Sequence, residues 1–424
     1  LSRFAASTLQ TIREFPVEVA IMVYAFAVVA FMIDDAGPDN EANIALAPLF
    51  FALAYILNSL FPLKRRKKES EDDSAGEEPA GREKPCKFRW TYYLCWMPII
   101  PLWLIDPEDW IFSVGYFIAV AIAFMGILAC RQACDNKRFA YESLNYIIDA
   151  AMALVFSSIA YGLLLGIYYS VTYIFGLDND FIPHFPEYLA AFTYIIAAPL
   201  MLLTFVRGNI GRNLFPSRFL DILLNFIVTP ALLIHTAILY LYFIKIIVTW
   251  SLPQGGIAIM VFIFTMVAVI AKGWQPLLGR RFYDWFFDRF SLISVPAVIM
   301  FWIAVLRRTG EYGLTEERIY LLLCGGIMTA TLVMFACRNR GRYSTVLLIT
   351  AITLAVFTYI PPVSAENLAI SNQKARVLRY AGRLGMLDES DMLKEADKMP
   401  SYDSLNAKEY ARILSGLKYL DRNN

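Results

Sequence analysis

The sequence has little charge and almost no histidine. Only 18% of its 424 residues are Asp, Glu, Lys or Arg, and only two are His. A soluble domain of average composition is about a quarter charged, so this chain has too few polar side chains to cover a surface that faces water. The scarcity of charge argues against a soluble globular protein.

The sequence also lacks the motifs of nucleotide, hydrolytic and metal chemistry. It contains no P-loop, dinucleotide-binding fingerprint, G-x-S-x-G or H-E-x-x-H pattern, and its six cysteines form no C-x-x-C pair. His184 and His235 are far apart in the chain and do not make a zinc site. We expect no metal, no cofactor and no nucleic-acid partner, and the sequence favours a non-enzymatic role over an enzymatic one without deciding between them.

Long apolar runs are what the sequence has in abundance. Hydrophobic residues make up 58% of the chain, and the mean hydropathy is +0.51. A helix needs about 20 apolar residues to cross a bilayer, and blocks of this kind recur without the alternation of a barrel strand. The sequence predicts an all-α integral membrane protein with about eleven transmembrane helices, at 17–33, 44–63, 91–105, 111–130, 146–175, 188–206, 219–249, 256–271, 292–306, 319–337 and 343–360.

Composition divides the chain into four parts. Residues 1–63 form a two-span hairpin, 91–360 a nine-span body and 361–424 a small helical tail. Residues 64–90 are rich in charge, Gly and Pro, which predicts a disordered linker. The basic run at 64–68 fits contact with anionic lipid headgroups, and ordinary topology control explains it equally well.

Lysine and arginine positions predict the orientation. With the N-terminus in the cytoplasm, the outer loops 34–43, 106–110, 176–188 and 250–255 contain no basic residue, whereas every inner segment contains several. The tail then lies outside, which in a bacterium means the periplasm. The pattern predicts a multi-pass inner-membrane protein with a cytoplasmic N-terminus and a periplasmic C-terminus.

The tail has apolar residues at helical spacing but little length. At about 64 residues its own core is marginal, so we expect it to pack on the membrane body or on a periplasmic protein partner. Its two predicted apolar faces consist of Val377, Leu378, Ala381 and Leu384, and of Tyr410, Ile413, Leu414 and Leu417.

The loop 307–318 is the one outer loop with basic residues. Its arginines fit headgroup anchors at span ends, a site for an anionic group, or a docking point for the tail. The third reading is an ionic latch that pairs the arginines with loop glutamates and with tail acids such as Asp388, Glu389 or Asp391. The latch consists of Arg307, Arg308, Glu311, Tyr312, Gly313, Glu316, Glu317 and Arg318.

This loop carries a family resemblance. The stretch LRRTGEYGLTEERIY resembles the signature R-x-x-x-Y-G-[LI]-T-x-x-R of a family of bacterial polytopic membrane proteins that share a domain of unknown function, DUF4153. The segments ISNQKARVLRYAGRLGML and LSGLKYL near the C-terminus are similar to that family as well. The resemblance covers roughly the last 120 residues. It implies a bacterial inner membrane and brings no established activity or catalytic residue.

Polar residues inside the predicted spans form a second candidate site. Asp221, Asn225 and His235 lie in the seventh span, where Pro230 removes a backbone hydrogen bond, and Asp149 lies in the fifth. Ionisable groups at membrane depth usually face a cavity or a partner. The four residues fit a polar path, although the aspartates equally fit pairing with interfacial Arg or Lys, and His235 fits a hydrogen bond between helices.

Three function classes follow. A transporter or permease for a small solute is favoured narrowly, because of the polar, proline-broken seventh span. A non-catalytic envelope sensor or assembly scaffold with a periplasmic docking tail is the alternative. A membrane-embedded transferase at the outer face comes third, on the acidic residues Asp34 and Asp35 after the first span.

Overall fold

The protein is built from helices, as the sequence predicts. The computed structural model describes residues 2–34, 41–61, 88–95, 97, 113–130, 136–175, 183–209, 218–249, 256–336, 341–388 and 407–422, and these contain no β-strand. Contacts divide the chain into two compact units, Leu1–Leu214 and Phe215–Asn424. The predicted linker 64–90 lies outside the described residues except for 88–90.

The first unit contains the helices of the N-terminal half. Two α-helices, α7 and α8, are joined by a π-helical turn and form one continuous element. The helices are α1 (Ser2–Glu14), α2 (Pro16–Ile33), α3 (Glu41–Leu60), α4 (Trp90–Leu94), α5 (Val114–Ala129), α6 (Asn136–Phe175), α7 (Phe185–Ala191) and α8 (Ala198–Asn209).

The second unit contains the remaining helices and ends in the tail pair, α17 and α18. Here too a π-helical turn joins two α-helices, α9 and α10. The helices are α9 (Arg218–Ile222), α10 (Thr229–Thr249), α11 (Gly256–Trp274), α12 (Asp284–Asp288), α13 (Phe290–Ile293), α14 (Val295–Tyr312), α15 (Glu316–Ala336), α16 (Tyr343–Tyr359), α17 (Ala365–Arg383) and α18 (Ala407–Arg422).

The prediction of an all-α membrane protein is confirmed. Six helical segments are long and apolar enough to cross a membrane, and the described residues add three shorter apolar helices. Most of the predicted span 91–105 lies outside the described residues, so the count of eleven stays a prediction. The long segments are Pro16–Ile33, Asn136–Ser170, Phe185–Gly208, Leu220–Thr249, Gly256–Leu277 and Glu316–Ala336, and the shorter ones are Ile44–Leu60, Val114–Ala129 and Tyr343–Tyr359.

Two prolines explain two irregular turns inside these spans. A π-helical turn at Phe192–Ala197 precedes Pro199, and another at Leu223–Val228 precedes Pro230. Proline has no backbone N–H to donate to the preceding turn and its ring crowds the carbonyl four residues earlier. A widened turn accommodates both effects without ending the helix.

The core of the first unit is aromatic and aliphatic. Phe15 and Tyr55 stack with ring centroids 6.2 Å apart, and Tyr55 lies 6.1 Å from Tyr146. Met22, Ile127, Leu203 and Val206 bury their side chains in the same cluster. This cluster joins α2 and α3 to α5, α6 and α8. A second cluster joins α2 and α3 to the segment that contains α4, and it consists of Val17, Ile21, Ala54, Tyr92 and Cys95.

The second unit packs its helices closely through small residues. A Cβ at Gly325 of α15 would lie 2.2 Å from Cε1 of Phe301 in α14, whose side chain is fully buried. Close approach at small residues is the usual packing mode of helices in membranes. The side chain of Trp302 adds a hydrogen bond from Nε1 to Oγ1 of Thr329, 3.1 Å away. These contacts hold α14 and α15 as a pair.

Candidate functional site

The loop between α14 and α15 is short and depends on glycine. Helix α14 ends at Tyr312, Gly313 has φ 76° and ψ 179°, and α15 begins at Glu316. Residues with a side chain rarely adopt this conformation. A Cβ at Gly313 would also lie 2.9 Å from Nε2 of Gln373 and 3.0 Å from Cδ of Arg376. The loop therefore brings its backbone against the tail where only glycine fits.

Side chains of α17 satisfy the carbonyl groups at the end of α14. The Gln373 amide nitrogen Nε2 donates to the carbonyl oxygen of Leu314 at 2.7 Å and to that of Tyr312 at 3.2 Å. Arg376 donates through Nη2 to the Glu311 carbonyl at 2.8 Å and through Nη1 to the Tyr312 carbonyl. Positive charge at a helix C-terminus is favoured by the helix dipole.

Two further hydrogen bonds complete this contact. The backbone N–H of Leu314 donates to Oδ1 of Asn372 at 2.9 Å, and that of Glu316 donates to the Tyr419 hydroxyl at 3.3 Å. Burial raises the pKa of the Tyr419 phenol and lowers the pKa of the Arg376 guanidinium. Tyr419 thus stays neutral, and arginine stays charged because its pKa is far above neutral pH. We call Asn372, Gln373, Arg376 and Tyr419, with the backbone of 311–316, the tail clamp.

Apolar side chains of α15 and α17 pack against one another next to the tail clamp. Ile319 of α15 is buried against Ala365 and Ala369 of α17, and Leu323 and Tyr419 pack on the same cluster. Alanine side chains let the two helix backbones approach closely. Ser364 caps the N-terminus of α17, and its hydroxyl accepts the backbone N–H of Asn367 at 3.3 Å. The α17 side of the contact is therefore set by a cap, a small-residue face and a polar row.

The predicted latch residues lie in and beside the tail clamp. Arg307 pairs with Glu311 at 2.9 Å on an exposed helix face, and Arg318 donates to the Gly313 carbonyl at 2.7 Å with its Cζ 5.4 Å from the Tyr312 ring centroid. Glu316 and Glu317 occupy the first turn of α15, where acids stabilise a helix start. The hydrogen bonds of the tail clamp join tail side chains to loop backbone: Gln373 and Arg376 donate to loop carbonyls, and loop N–H groups donate to Asn372 and Tyr419. Pairing of the loop arginines with tail acids stays a hypothesis, because Glu389 and Asp391 lie outside the described residues.

The residues of the predicted polar path fall in both units. Asp149 is buried in α6 of the first unit, whereas the other three belong to the second. Asp221 accepts the N–H of Gly279 at 2.9 Å and Asn225 donates to the carbonyl of Arg280 at 2.9 Å. These two side chains thus hold the turn that follows α11.

His235 has a different environment from the aspartates. Its ring stacks on Phe264 with centroids 5.2 Å apart and an interplanar angle of 26°. Its Nε2 atom is buried without a hydrogen-bond partner. Burying a histidine nitrogen without a hydrogen-bond partner inside a membrane span costs free energy. A ligand or a proton bound at this nitrogen would offset that cost, and this is the one feature of the predicted path that favours binding of either.

A buried polar cluster in the first unit escaped the sequence analysis. Glu18 of α2 is fully buried and accepts a hydrogen bond from the Tyr92 hydroxyl at 2.6 Å and from Nδ2 of Asn58 at 3.3 Å. Arg89 donates to Oδ1 of Asn58 at 3.4 Å and to the Phe61 carbonyl at 2.7 Å. Its Nε and Nη2 are buried without partners. We call these four side chains the Glu18 cluster.

One signal in the sequence pointed to the Glu18 cluster. Glu18 is the only residue of the apolar run 16–33 that is charged at neutral pH in water, and such residues usually have a partner in the bundle. Its partners Arg89 and Tyr92 follow more than seventy positions later, across the predicted linker, and no periodicity connects them. Arg89 itself is buried although it falls within the predicted linker 64–90.

The described residues add no support for a metal site or for the predicted transferase site at the outer face. Within the ranges that the structure describes, no group of three or more His, Cys, Asp or Glu residues lies close enough to hold a metal ion. Asp34 is the last described residue before the gap at 35–40, and Asp35 lies in that gap. The transferase site stays a prediction, because only one of its two acidic residues is described.

Comparisons with known proteins agree with the resemblance of the loop and of the first part of the tail. The model of a family described as a domain of unknown function, DUF4153, matches residues 97–390. An uncharacterised protein of Pasteurella multocida (strain Pm70) is 25% identical over 282 residues, which are 66% of this chain and 48% of that protein. The chain thus spans about half the length of the curated relative it matches. No solved structure matches the chain.

Proposed function

The chain belongs to the DUF4153 family, and we propose that it is a non-catalytic membrane scaffold or sensor whose tail is a docking platform for a periplasmic protein. The proposal places the protein in a bacterial inner membrane with the N-terminus in the cytoplasm. All predicted outer loops except 307–318 contain no basic residue, and this pattern supports that orientation.

The observation that carries the proposal is Gln373. This side chain is 2% exposed, which makes it the most buried polar residue in the described part of the tail, and it donates to two loop carbonyls. A buried amide with both bonds satisfied fixes one geometry, because any shift leaves polar groups unpaired at a cost of about 1–3 kcal/mol each. The tail is thereby coupled rigidly to the connection between two helices of the membrane body.

Rigid coupling is useful to a scaffold or a sensor. A partner that binds the tail would displace α14 and α15 together, and a movement of these helices would reorient the tail. The exposed face of α18 offers the contact: Leu414 is 55% exposed and Leu417 37%. Apolar residues exposed one helical turn apart are typical of a helix that docks into a groove.

The test is site-specific photo-crosslinking in cells. A photoreactive residue at position 414 in the full chain should give an adduct of defined mass, and Gln373→Leu should abolish it while the membrane level of the protein is unchanged. Gly310→Ala is the control, because nothing lies within 4 Å of a Cβ added there. An adduct that survives Gln373→Leu, or no adduct in the unmodified chain, would refute the docking function.

Transport of a small solute is the second candidate. The unpartnered Nε2 of His235 and the fully buried Glu18 carboxylate, both in candidate spans, favour it. Purified protein in liposomes should then dissipate an imposed proton gradient, and His235→Leu and Glu18→Gln should each suppress that flux. Liposomes with the unmodified protein that stay as tight as empty ones would exclude a proton-coupled transporter.

A further inference from the structure

Three arginines converge on one tyrosine of the tail. The Cζ atoms of Arg412, Arg383 and Arg376 lie 5.2, 5.6 and 5.9 Å from the ring centroid of Tyr380. Nη1 of Arg412 also donates to the Tyr380 hydroxyl at 2.9 Å. We call these four side chains the Tyr380 arginine cluster, and it joins α17 to α18.

The positive charge of this cluster is poorly balanced by the described residues. The one carboxylate there that forms an ion pair with the cluster is Glu409, whose Oε1 lies 3.8 Å from Nη1 of Arg383. Arg376 donates its Nη atoms to neutral carbonyl groups of the loop. Three guanidinium groups around one ring repel one another at this range. A bound anion would remove that repulsion.

The cluster is also held in place. Val377, Ala381 and Ile413 are buried between α17 and α18 in one apolar core, on which Tyr380 packs. A Cβ at Gly416 of α18 would lie 2.5 Å from Cγ2 of Val377, so the helices are in close contact there. Arginine side chains held close to an aromatic ring lose less conformational freedom on binding, because the guanidinium group is already positioned. The cluster is therefore preorganised for a ligand.

The chemistry of the cluster selects a phosphate group. A guanidinium fork forms two parallel hydrogen bonds with phosphate oxygens, and several forks match a group that has more than one charge. The side chain of Arg383 is 60% exposed, so a ligand reaches it from solvent. Tyr380 follows Arg376 by one helical turn, about 6 Å along α17, and Arg376 contacts the end of α14. The loop that Arg376 contacts leads into α15, which is long and apolar enough to cross a membrane, so the cluster lies within reach of lipid headgroups if α15 spans the bilayer.

We propose that the Tyr380 arginine cluster binds a phosphate-bearing anion, supplied by the headgroup of an anionic phospholipid at the membrane surface or by a free phosphate compound. The inference is independent of the docking platform. Of the residues in the Tyr380 arginine cluster, only Arg376 also belongs to the tail clamp, and none lies on the exposed face that contains Leu414.

The first arm of the test uses inorganic phosphate. The full chain in a neutral detergent is titrated with phosphate against chloride at constant ionic strength, and the shift in melting temperature gives the apparent dissociation constant. Arg383→Gln combined with Arg412→Gln should raise that constant about tenfold or more, since each removes a charge-assisted hydrogen bond. Lys374→Gln combined with Lys418→Gln makes the same charge change at exposed positions of α17 and α18 and should leave it unchanged.

The second arm identifies the source of the phosphate. Native mass spectrometry of the protein from nanodiscs of phosphatidylcholine with or without phosphatidylglycerol counts the anionic lipids retained. A lipid site predicts one fewer phosphatidylglycerol in the Arg383→Gln/Arg412→Gln variant than in the lysine control. A site for free phosphate predicts equal lipid counts together with the shift in the phosphate constant.

A milder variant protects the test against misfolding. Arg383→Lys keeps the charge at an exposed position and removes only the fork, so the chain should fold and still bind phosphate more weakly. The proposal is wrong if the unmodified chain binds neither phosphate nor phosphatidylglycerol. It is also wrong if the Arg383→Gln/Arg412→Gln variant binds them as well as the Lys374→Gln/Lys418→Gln control does.

Discussion

Replacing Gly313 by alanine should release the tail from the membrane body. Its φ of 76° and ψ of 179° are strained for any residue with a Cβ, at about 1–3 kcal/mol. The new methyl group would also meet Gln373 Nε2 at 2.9 Å and displace an amide that makes two hydrogen bonds to loop carbonyls. Each of those bonds contributes about 0.5–1.5 kcal/mol.

Together these effects weaken the tail clamp by about 2–6 kcal/mol. Because 1.4 kcal/mol is a factor of ten, the population with a detached tail should rise roughly 30-fold to 20,000-fold. Limited proteolysis reports this population, since cleavage of a transiently opened segment follows its equilibrium when opening and closing are fast. The Gly313→Ala chain should therefore lose the 361–424 segment much faster than the unmodified chain.

Gly310→Ala is the matched control for this experiment. Gly310 lies in α14, three residues earlier, and nothing lies within 4 Å of a Cβ added there. Alanine in a helix is about 0.5–1 kcal/mol more favourable than glycine, so this variant should cleave at the original rate or more slowly. Equal cleavage of both variants would show that the conformation of Gly313 does not hold the tail, and the reasoning would fail.

Other substitutions probe the remaining contacts. Tyr92→Phe removes a donor from the buried Glu18 carboxylate and should lower the stability of the purified protein by about 1–3 kcal/mol in denaturant titration; an unchanged midpoint would show that Glu18 does not need this bond. Arg307→Gln with Arg308→Gln should speed tail cleavage if the latch hypothesis holds, but by less than Gly313→Ala, since an exposed ion pair contributes about 0–1 kcal/mol; cleavage at the original rate would leave these arginines as headgroup anchors. A periplasm-specific reporter fused after Asn424 should be active, and a silent one would reverse the proposed orientation.

The helices of this protein follow from its hydropathy. Long apolar runs such as 219–249 and 319–337 correspond to the segments Leu220–Thr249 and Glu316–Ala336. Burial of backbone polar groups in lipid forces such runs to be helical, whatever their neighbours. Pro230 also indicated a break in the hydrogen bonding of its span, which the structure places as a π-helical turn just before it.

Contacts between distant segments were much harder to predict. Val377, Ala381 and Ile413 of the predicted tail faces are buried, but Leu414 and Leu417 are exposed, because Gly416 and not Leu417 faces Val377. A stripe of i, i+3 and i+4 positions does not say which edge of it meets the neighbouring helix.

The polar contacts of the candidate site were also hard to predict from the sequence. The sequence indicates the charged loop as a candidate site and predicts that the tail packs on the membrane body or on a partner. The latch hypothesis attributes the contact between loop and tail to ion pairs. The hydrogen bonds of the tail clamp instead join tail side chains to loop backbone: Gln373 donates to the Leu314 carbonyl, and Asn372 accepts the Leu314 N–H. Backbone carbonyls have no signature in a sequence, and they become acceptors only once Gly313 has turned the chain.

Hydrogen exchange of the full chain in nanodiscs is the most direct test of the tail clamp. If α17 is fixed on the loop between α14 and α15, the amides of Ala365–Arg383 should be as well protected as those of Glu316–Ala336, and Gln373→Ala should expose α17 while α15 stays protected. Rapid exchange of α17 in the unmodified protein, at the rate of an isolated helix, would contradict the account.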